Sequence, residues 1–104
     1  MKQTAMISQP MKDLSDEDIL ATRETAIKVL GMLGYDVINS YFTDDSFVSE
    51  DTKHVPIVYL AKSIEVMAKC NAVYFCKGWQ QARGCKIEHE IAKNYGLSII
   101  YEGD

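Results

Sequence analysis

The chain has 104 residues, of which 47% are apolar and 25% charged, a balance that excludes disorder and leaves room for one hydrophobic core. We therefore expect a single domain over residues 1–104. Fifteen acidic side chains against eleven basic ones give a net charge of −4, the wrong sign for holding a phosphate backbone. Duplex nucleic acid is not an expected partner.

Neither a metal nor another cofactor is predicted from the residue types that usually bind one. Cys70, Cys76 and Cys85 form no C-x-x-C pair and are odd in number, so neither a disulfide framework nor a zinc site is indicated. His54 and His89 have no ligand-like spacing. No apolar run approaches the ~18 residues of a membrane span or has the form of a signal peptide. We expect a cytoplasmic chain without a membrane partner.

Apolar segments of two different periods alternate along the chain. Short continuous apolar runs predict strands, and apolar residues at helical spacing predict helices. Pro10 closes the first strand, and Gly34 and Gly96 end two of the helices. The predicted elements are a strand at 4–7, a helix at 16–33, a strand at 35–38, a helix at 54–69, a strand at 72–76, a helix at 84–95 and a strand at 97–101.

This alternation predicts a small doubly wound α/β fold, flavodoxin-like or Rossmann-like, in which a four-stranded parallel sheet lies between helices in a three-layer sandwich. The strand at 72–76 is nearly continuous in apolar residues and should be central. Ligands of such folds bind beyond the carboxyl ends of the strands, where the strand order reverses. The loops after Ile7, Ile38 and Cys76 are therefore the expected places for a site.

The segment at 39–53 is polar, acidic and irregular, with three aromatic side chains. Loops of this length in compact domains are often functional. A lid over the site and an ordinary solvated connection remain equally open interpretations.

A carboxylate falls within the apolar stripe of the last helix. Ile87, Ile91, Ala92 and Tyr95 define that stripe at about 100° per residue, and Glu88 projects into it, in the first turn by the predicted bounds, whereas His89 projects away. A buried carboxylate must find a partner or take up a proton. Glu88 is therefore either a site residue or an architectural one that caps its helix or pairs with Arg83.

The residues before Glu88 are suited to a ligand. Gly78 and Gly84 allow close approach of the backbone, and the amides of Cys85 and Lys86, expected to be free at the helix start, suit a phosphate or hydroxyl oxygen. Trp79 either stacks on a nucleobase or covers a core edge. The Cys85 thiol has no histidine placed to activate it, so a packing role is favoured.

Three segments of the sequence resemble the nucleoside 2-deoxyribosyltransferase-like family, in particular its short bacterial and phage-associated branch. The resemblance covers nearly the whole chain, through Met6-Ile7-Ser8-Gln9-Pro10-Met11, Gly34-Tyr35-Asp36-Val37-Ile38-Asn39, and Gly78 through Ala92. It implies an N-glycosidase or 2-deoxyribosyltransferase that acts on a nucleoside or nucleotide and assembles as a homodimer or larger homo-oligomer. In the family, a glutamate at the position of Glu88 is the nucleophile that attacks the anomeric carbon.

The resemblance also implies which residues surround the substrate. Arg83 would orient a phosphate or carboxylate, Gln9 and Trp79 would lie near the base, and amides near Gly84 would hold the 5′ oxygen. The substrate-binding set is Ser8, Gln9, Pro10, Met11, Asn39, Gly78, Trp79, Arg83, Gly84 and Cys85.

The chain departs from the family pattern at four positions. Gln9 replaces a glycine, and Ser63, Asn71 and Ala82 stand where acidic residues are common. An acid is needed to help the base leave. The alternative to an enzyme is therefore a catalytically inactive module that binds or senses a nucleotide.

Overall fold

The computed structural model describes residues 3–43 and 45–103, so Met1, Lys2, Asp44 in the predicted long loop, and Asp104 lie outside it. The elements are β1 (Gln3–Ser8), α1 (Asp16–Met32), β2 (Tyr35–Val37), α2 (Val55–Met67), β3 (Ala72–Phe75), a 3₁₀ turn (Trp79–Gln81), α3 (Arg83–Asn94) and β4 (Ser98–Tyr101). The predicted order of strands and helices is confirmed. The 3₁₀ turn lies in a segment that the sequence predicted as loop.

The four strands form one parallel sheet in the order β2-β1-β3-β4. Ser8 at the end of β1 is in register with Phe75 at the end of β3. The fold class is confirmed as a small doubly wound three-layer α/β fold, and β3 occupies the predicted interior position. The strand order reverses between β1 and β3, so a ligand of this fold class is expected beside Ser8.

Side chains alternate between the two faces of the sheet and build two cores. Ala5 and Ile7 face α1, where they pack with Ala26 and Leu30. Met6 faces the other way, toward a second core formed with α2 and α3. The alternation places Ser8 on the same face as Met6, and Gln9 on the α1 face.

The helix ends follow local sequence. The Ser15 side chain caps α1 by accepting a hydrogen bond from the amide of Asp18, at 3.1 Å. Gly34 follows the helix with φ of +92°, the left-handed conformation predicted for a helix stop. Within residues 3–43 and 45–103, none of the helices is long and apolar enough to cross a membrane. The cytoplasmic location stays a prediction.

The long segment between β2 and α2 packs its aromatic side chains against α2. The Phe47 ring lies edge-on to Phe42 at 6.0 Å and to Tyr59 of α2 at 4.9 Å between centroids. Lys62 of α2 lies over the same ring at 5.6 Å. These contacts hold the loop against α2. They are compatible with either interpretation of the loop.

Candidate active site

Glu88 contacts Ser8 at the carboxyl ends of the parallel strands. Ser8 Oγ donates a hydrogen bond to Glu88 Oε1 at 2.5 Å, which joins the end of β1 to α3. Both residues are buried, with 2% and 6% of their surface exposed. Two segments far apart in the chain thus build a desolvated carboxyl group at the point where the strand order reverses.

Burial dominates the electrostatics of Glu88. It raises the pKa of the Glu88 carboxyl above its usual value, and hydrogen bonds with the hydroxyls of Ser8 and Ser63 offset part of that rise. Ser63 comes from α2, so three elements meet at the carboxyl group. The result is a carboxyl group held in place by neutral partners.

The two architectural roles considered for Glu88 do not match this geometry. The residue that precedes α3 is Ala82, and no side chain caps that helix end. Arg83 is exposed and plays no part in the shift of the Glu88 pKa. Glu88 instead hydrogen-bonds with serine hydroxyls. Neither a capping role nor an ion pair with Arg83 accounts for its burial there.

The start of α3 differs in detail from the prediction. The helix begins at Arg83, which places Glu88 in its second turn, where the helix dipole offsets less of the burial cost. The Lys86 amide donates to the Ala82 carbonyl at 3.0 Å, so the expectation that it is free was wrong. The amides of the first turn belong to Arg83, Gly84 and Cys85.

Cys85 lies directly beside the carboxyl group. The residue is 4% exposed, and burial raises the pKa of its thiol to about 11, partly opposed by a hydrogen bond with Ser8. A thiol with that pKa stays protonated at neutral pH. The packing role favoured from the sequence agrees with this environment.

Gly78 and Gly84 lie at close contacts between segments, Gly78 between two loops and Gly84 between two helices. Gly78 has φ of +87°, and a methyl group added there would lie 3.6 Å from Pro10 Cγ. The loops after β1 and β3 therefore lie against each other at Pro10 and Gly78. Gly84 faces Leu60 of α2, and a methyl group added at Gly84 would lie 3.9 Å from Leu60 Cδ1. Met11 is 37% exposed on the solvent side of this region.

Trp79 lies in an aromatic cluster that the sequence did not predict. Its ring stacks on His89 at 4.1 Å between centroids, and His89 Nε2 hydrogen-bonds with Tyr101 Oη at 2.7 Å. The expectation that His89 projects away from the core was wrong. Trp79, Tyr101 and Gly78 also border a pocket of about 380 Å³ beyond the ends of β3 and β4.

The apolar stripe of α3 is narrower than predicted. Tyr95, assigned to it from helical spacing, is 80% exposed, and Ile87 is 39% exposed. Ala92 is fully buried in the core of this face, with Ile91 packed against it. The reason is that α3 covers an edge of the sheet, so its buried face is set by β3 and β4 rather than by the helix alone.

Gln9 and Asn39 lie on the other face of the sheet, away from Glu88. Gln9 Nε2 donates to the Ile19 carbonyl at 3.2 Å, and Gln9 Oε1 accepts from Arg23 Nη1 at 3.1 Å. Arg23 Nη2 donates to Asn39 Oδ1 at 3.4 Å. The predicted set thus divides between the two faces. Ser8, Cys85 and Glu88 meet directly, whereas the side chains of Gln9 and Asn39 join Arg23.

Sequence reasoning did not assign Ser63, Tyr101 or Arg23 to a site. Arg23 carried a signal, because it occupies the apolar stripe of α1 between Ile19 and Ala26. Ser63 carried a signal only through the resemblance, at a position where the family commonly has an aspartate. Tyr101 carried none, since a tyrosine in a strand is ordinary. In the described parts of the chain no three His, Cys, Asp or Glu side chains are grouped as a metal site.

The fold and site together define a small doubly wound α/β domain with a buried carboxyl group at its strand-order reversal. Residues 4–101 match the family described as a domain of unknown function, DUF4406, and the chain belongs to that family. No curated protein and no solved structure matches the chain.

Proposed function

We propose that the protein is an N-glycosidase or 2-deoxyribosyltransferase-like enzyme acting on a nucleoside or nucleotide, with Glu88 as nucleophile. The observation that carries the proposal is a buried carboxyl group next to the carboxyl end of β1, at the reversal of strand order where ligands of this fold class bind. A carboxyl group whose pKa is perturbed by burial at such a position is a candidate functional group.

The chemistry needs the ionised form of Glu88. One carboxylate oxygen forms a bond to C1′ of the sugar as the bond from C1′ to the base nitrogen breaks, and the base leaves with the bonding pair and takes a proton from solvent. Water then attacks C1′, releasing Glu88 and the free sugar. In a transferase a second base replaces the water. The Ser8 hydroxyl orients the attacking carboxylate through its hydrogen bond.

Other residues near the carboxyl ends of the strands would contact the remaining parts of the substrate. The first-turn amides of α3 and the exposed Arg83 suit a 5′ oxygen or phosphate. Pro10 and Gly78 form the opposite wall, where their loops touch. Trp79 borders a pocket large enough for a nucleobase. His89 and Tyr101 stack on its ring and Phe75 lies 5.5 Å from it, so a base would contact the part of the ring that borders the pocket.

The second candidate is a catalytically inactive nucleotide-binding or sensing module. The observation that favours it is that the partners of Glu88 are serine hydroxyls, including Ser63 where the resembling family commonly has an aspartate. Asn71 does not bear on the choice. Its side chain accepts a hydrogen bond from the Thr4 amide at 2.8 Å. This contact lies at the amino ends of the strands, whereas Glu88 lies at their carboxyl ends.

A ligand screen separates the two candidates. The protein is incubated with nucleosides, deoxynucleosides and their 5′ monophosphates, and each mixture is followed by thermal shift and by chromatography of the released base. We expect both stabilisation and base release for at least one compound. Stabilisation without release would favour the binding module, and no response to any compound would contradict both candidates.

We also propose that the protein forms a homodimer or larger homo-oligomer through α2. The helix is rich in apolar residues, yet Val55 is 40% and Ile57 is 61% exposed. Ile87 of α3, a helix that contacts α2, is 39% exposed. An exposed apolar surface of this kind is typical of an interface. Light scattering is expected to give at least twice the mass of one chain. Ile57→Glu should reduce it, and a monomeric wild-type protein would contradict the proposal.

A further inference from the structure

Arg23 is a buried cation whose side-chain contacts, within residues 3–43 and 45–103, are neutral. Only 5% of its surface is exposed. It donates to the side-chain oxygens of Gln9 and Asn39, and the Tyr41 ring lies 5.8 Å from its guanidinium carbon. Burial lowers the pKa of Arg23, but an arginine stays charged at neutral pH. A buried charge without an opposite charge is costly, and a bound anion offsets that cost.

Arg23 borders an open cleft of about 580 Å³ on the α1 face, which we name the Arg23 cleft. Its apolar wall consists of Leu20, Ile27 and Val37, and its polar wall of Arg23, Glu24, Lys28, Asn39 and Tyr41. Leu20 and Ile27 are 53% and 46% exposed, so the apolar wall is open to a ligand.

The donors of Arg23 are only partly used. A guanidinium has five N–H groups, and its contacts with Gln9 at 3.1 Å and Asn39 at 3.4 Å employ two of them. Asn39 is itself fixed, because its amide nitrogen donates to the Tyr41 carbonyl at 3.0 Å. Gln9 and Asn39 thus hold the guanidinium in one orientation, as preorganised recognition of a planar oxyanion requires.

Other charges at the cleft do not neutralise Arg23. Glu24 forms an ion pair with Lys28 at 3.6 Å, in which both side chains are more than two-thirds exposed. Asp16 accepts a hydrogen bond from Tyr41 Oη at 2.8 Å. Both carboxylates therefore already have partners of their own.

We propose that the Arg23 cleft binds a small organic anion whose carboxylate or phosphate group contacts Arg23 and whose apolar body lies against Leu20 and Ile27. The site lies on the opposite face of the sheet from Glu88 and does not depend on the function proposed there. It is a binding site and includes no covalent step.

Titration with hexanoate, acetate and inorganic phosphate tests the site. Hexanoate is expected to bind at least about tenfold more tightly than acetate, because its alkyl chain is buried against the apolar wall. Binding is followed by the rise in Tm and by the Nε–Hε signals in the nuclear magnetic resonance spectrum. The chain has arginine only at positions 23 and 83, so Arg83 is an internal reference for the hexanoate titration. The comparison of hexanoate with phosphate distinguishes a carboxylate ligand from a phosphate ligand.

Arg23→Met keeps an apolar stem but removes the charge. It is expected to weaken hexanoate binding at least about tenfold, as is typical of losing a charge-assisted hydrogen bond. Lys93→Met, which removes an exposed lysine of α3 outside the cleft, should leave binding within about twofold. Glu88→Gln should also leave it unchanged, which separates this site from the proposed active site. Equal binding by Arg23→Met would overturn the proposal. If that variant does not fold, an Arg23 signal in the wild-type protein that does not move at saturating hexanoate or phosphate overturns it instead.

Discussion

Glu88→Gln is expected to lower the rate of base release by at least about 10³-fold, the scale of loss typical when a nucleophile is removed. A glutamine has nearly the same shape and still accepts the hydrogen bond from Ser8, but it cannot form the ester with C1′. The measurement is initial-rate chromatography with the compound that the ligand screen identifies. Binding of that compound, followed by thermal shift, should persist.

The same variant reports on folding through its pH dependence. The folded chain holds the Glu88 proton more tightly than the unfolded chain, because burial raises the pKa of this carboxyl above its usual value of 4.5. The contribution of Glu88 to stability is therefore greatest below pH 4.5 and declines as pH rises through the raised pKa. Glu88→Gln should remove that decline and be at least as stable as the wild-type protein at neutral pH.

Glu90→Gln is the matched control, since Glu90 is an exposed glutamate of the same helix. It should retain wild-type base release and the wild-type dependence of stability on pH. Equal turnover by Glu88→Gln and the wild-type protein would rule out the nucleophile assignment. A turnover loss accompanied by unfolding would instead assign Glu88 a structural role.

Leu30→Ala is expected to lower the free energy of unfolding by about 2–5 kcal/mol, the range for deleting a fully buried leucine side chain. Leu30 is 0% exposed and joins α1 to β1 and β3 in the core of that face. For a domain of this size such a loss lowers Tm by about 10 °C or more. Urea unfolding measures the change.

Leu20→Ala is the matched control on the same helix. Leu20 is 53% exposed, so its truncation should cost less than about 1 kcal/mol. Losses of similar size in the two variants would contradict the orientation of α1 on the sheet. A large loss for Leu30→Ala alone would support it.

The order of elements and the fold class could be predicted from local patterns. The run Ala72–Phe75 is apolar throughout because β3 is covered on both faces. Glu88 was predicted as the site residue because a carboxylate inside an apolar stripe violates the usual pattern. Arg23 violated the same pattern on α1 and was not assigned a role.

The partners of these residues could not be predicted, because contacts across a sheet depend on register and on strand order. Ser8 and Gln9 are adjacent in the chain but point to opposite faces, so one meets Glu88 and the other Arg23. His89 was expected in solvent because helical periodicity alone does not show that β4 lies beside it.

The sequence by itself determined the α/β class, the succession of elements and the position of a carboxylate near the site, since propensity, periodicity and turn residues act over a few neighbours. Only the tertiary structure decided which hydroxyls contact Glu88, on which face of the sheet Gln9 and Asn39 lie, and where Arg23 is buried. Those outcomes follow from the reversal of strand order between β1 and β3 and from the alternation of side chains at the end of β1. Moving one position along a strand places the side chain on the opposite face of the sheet.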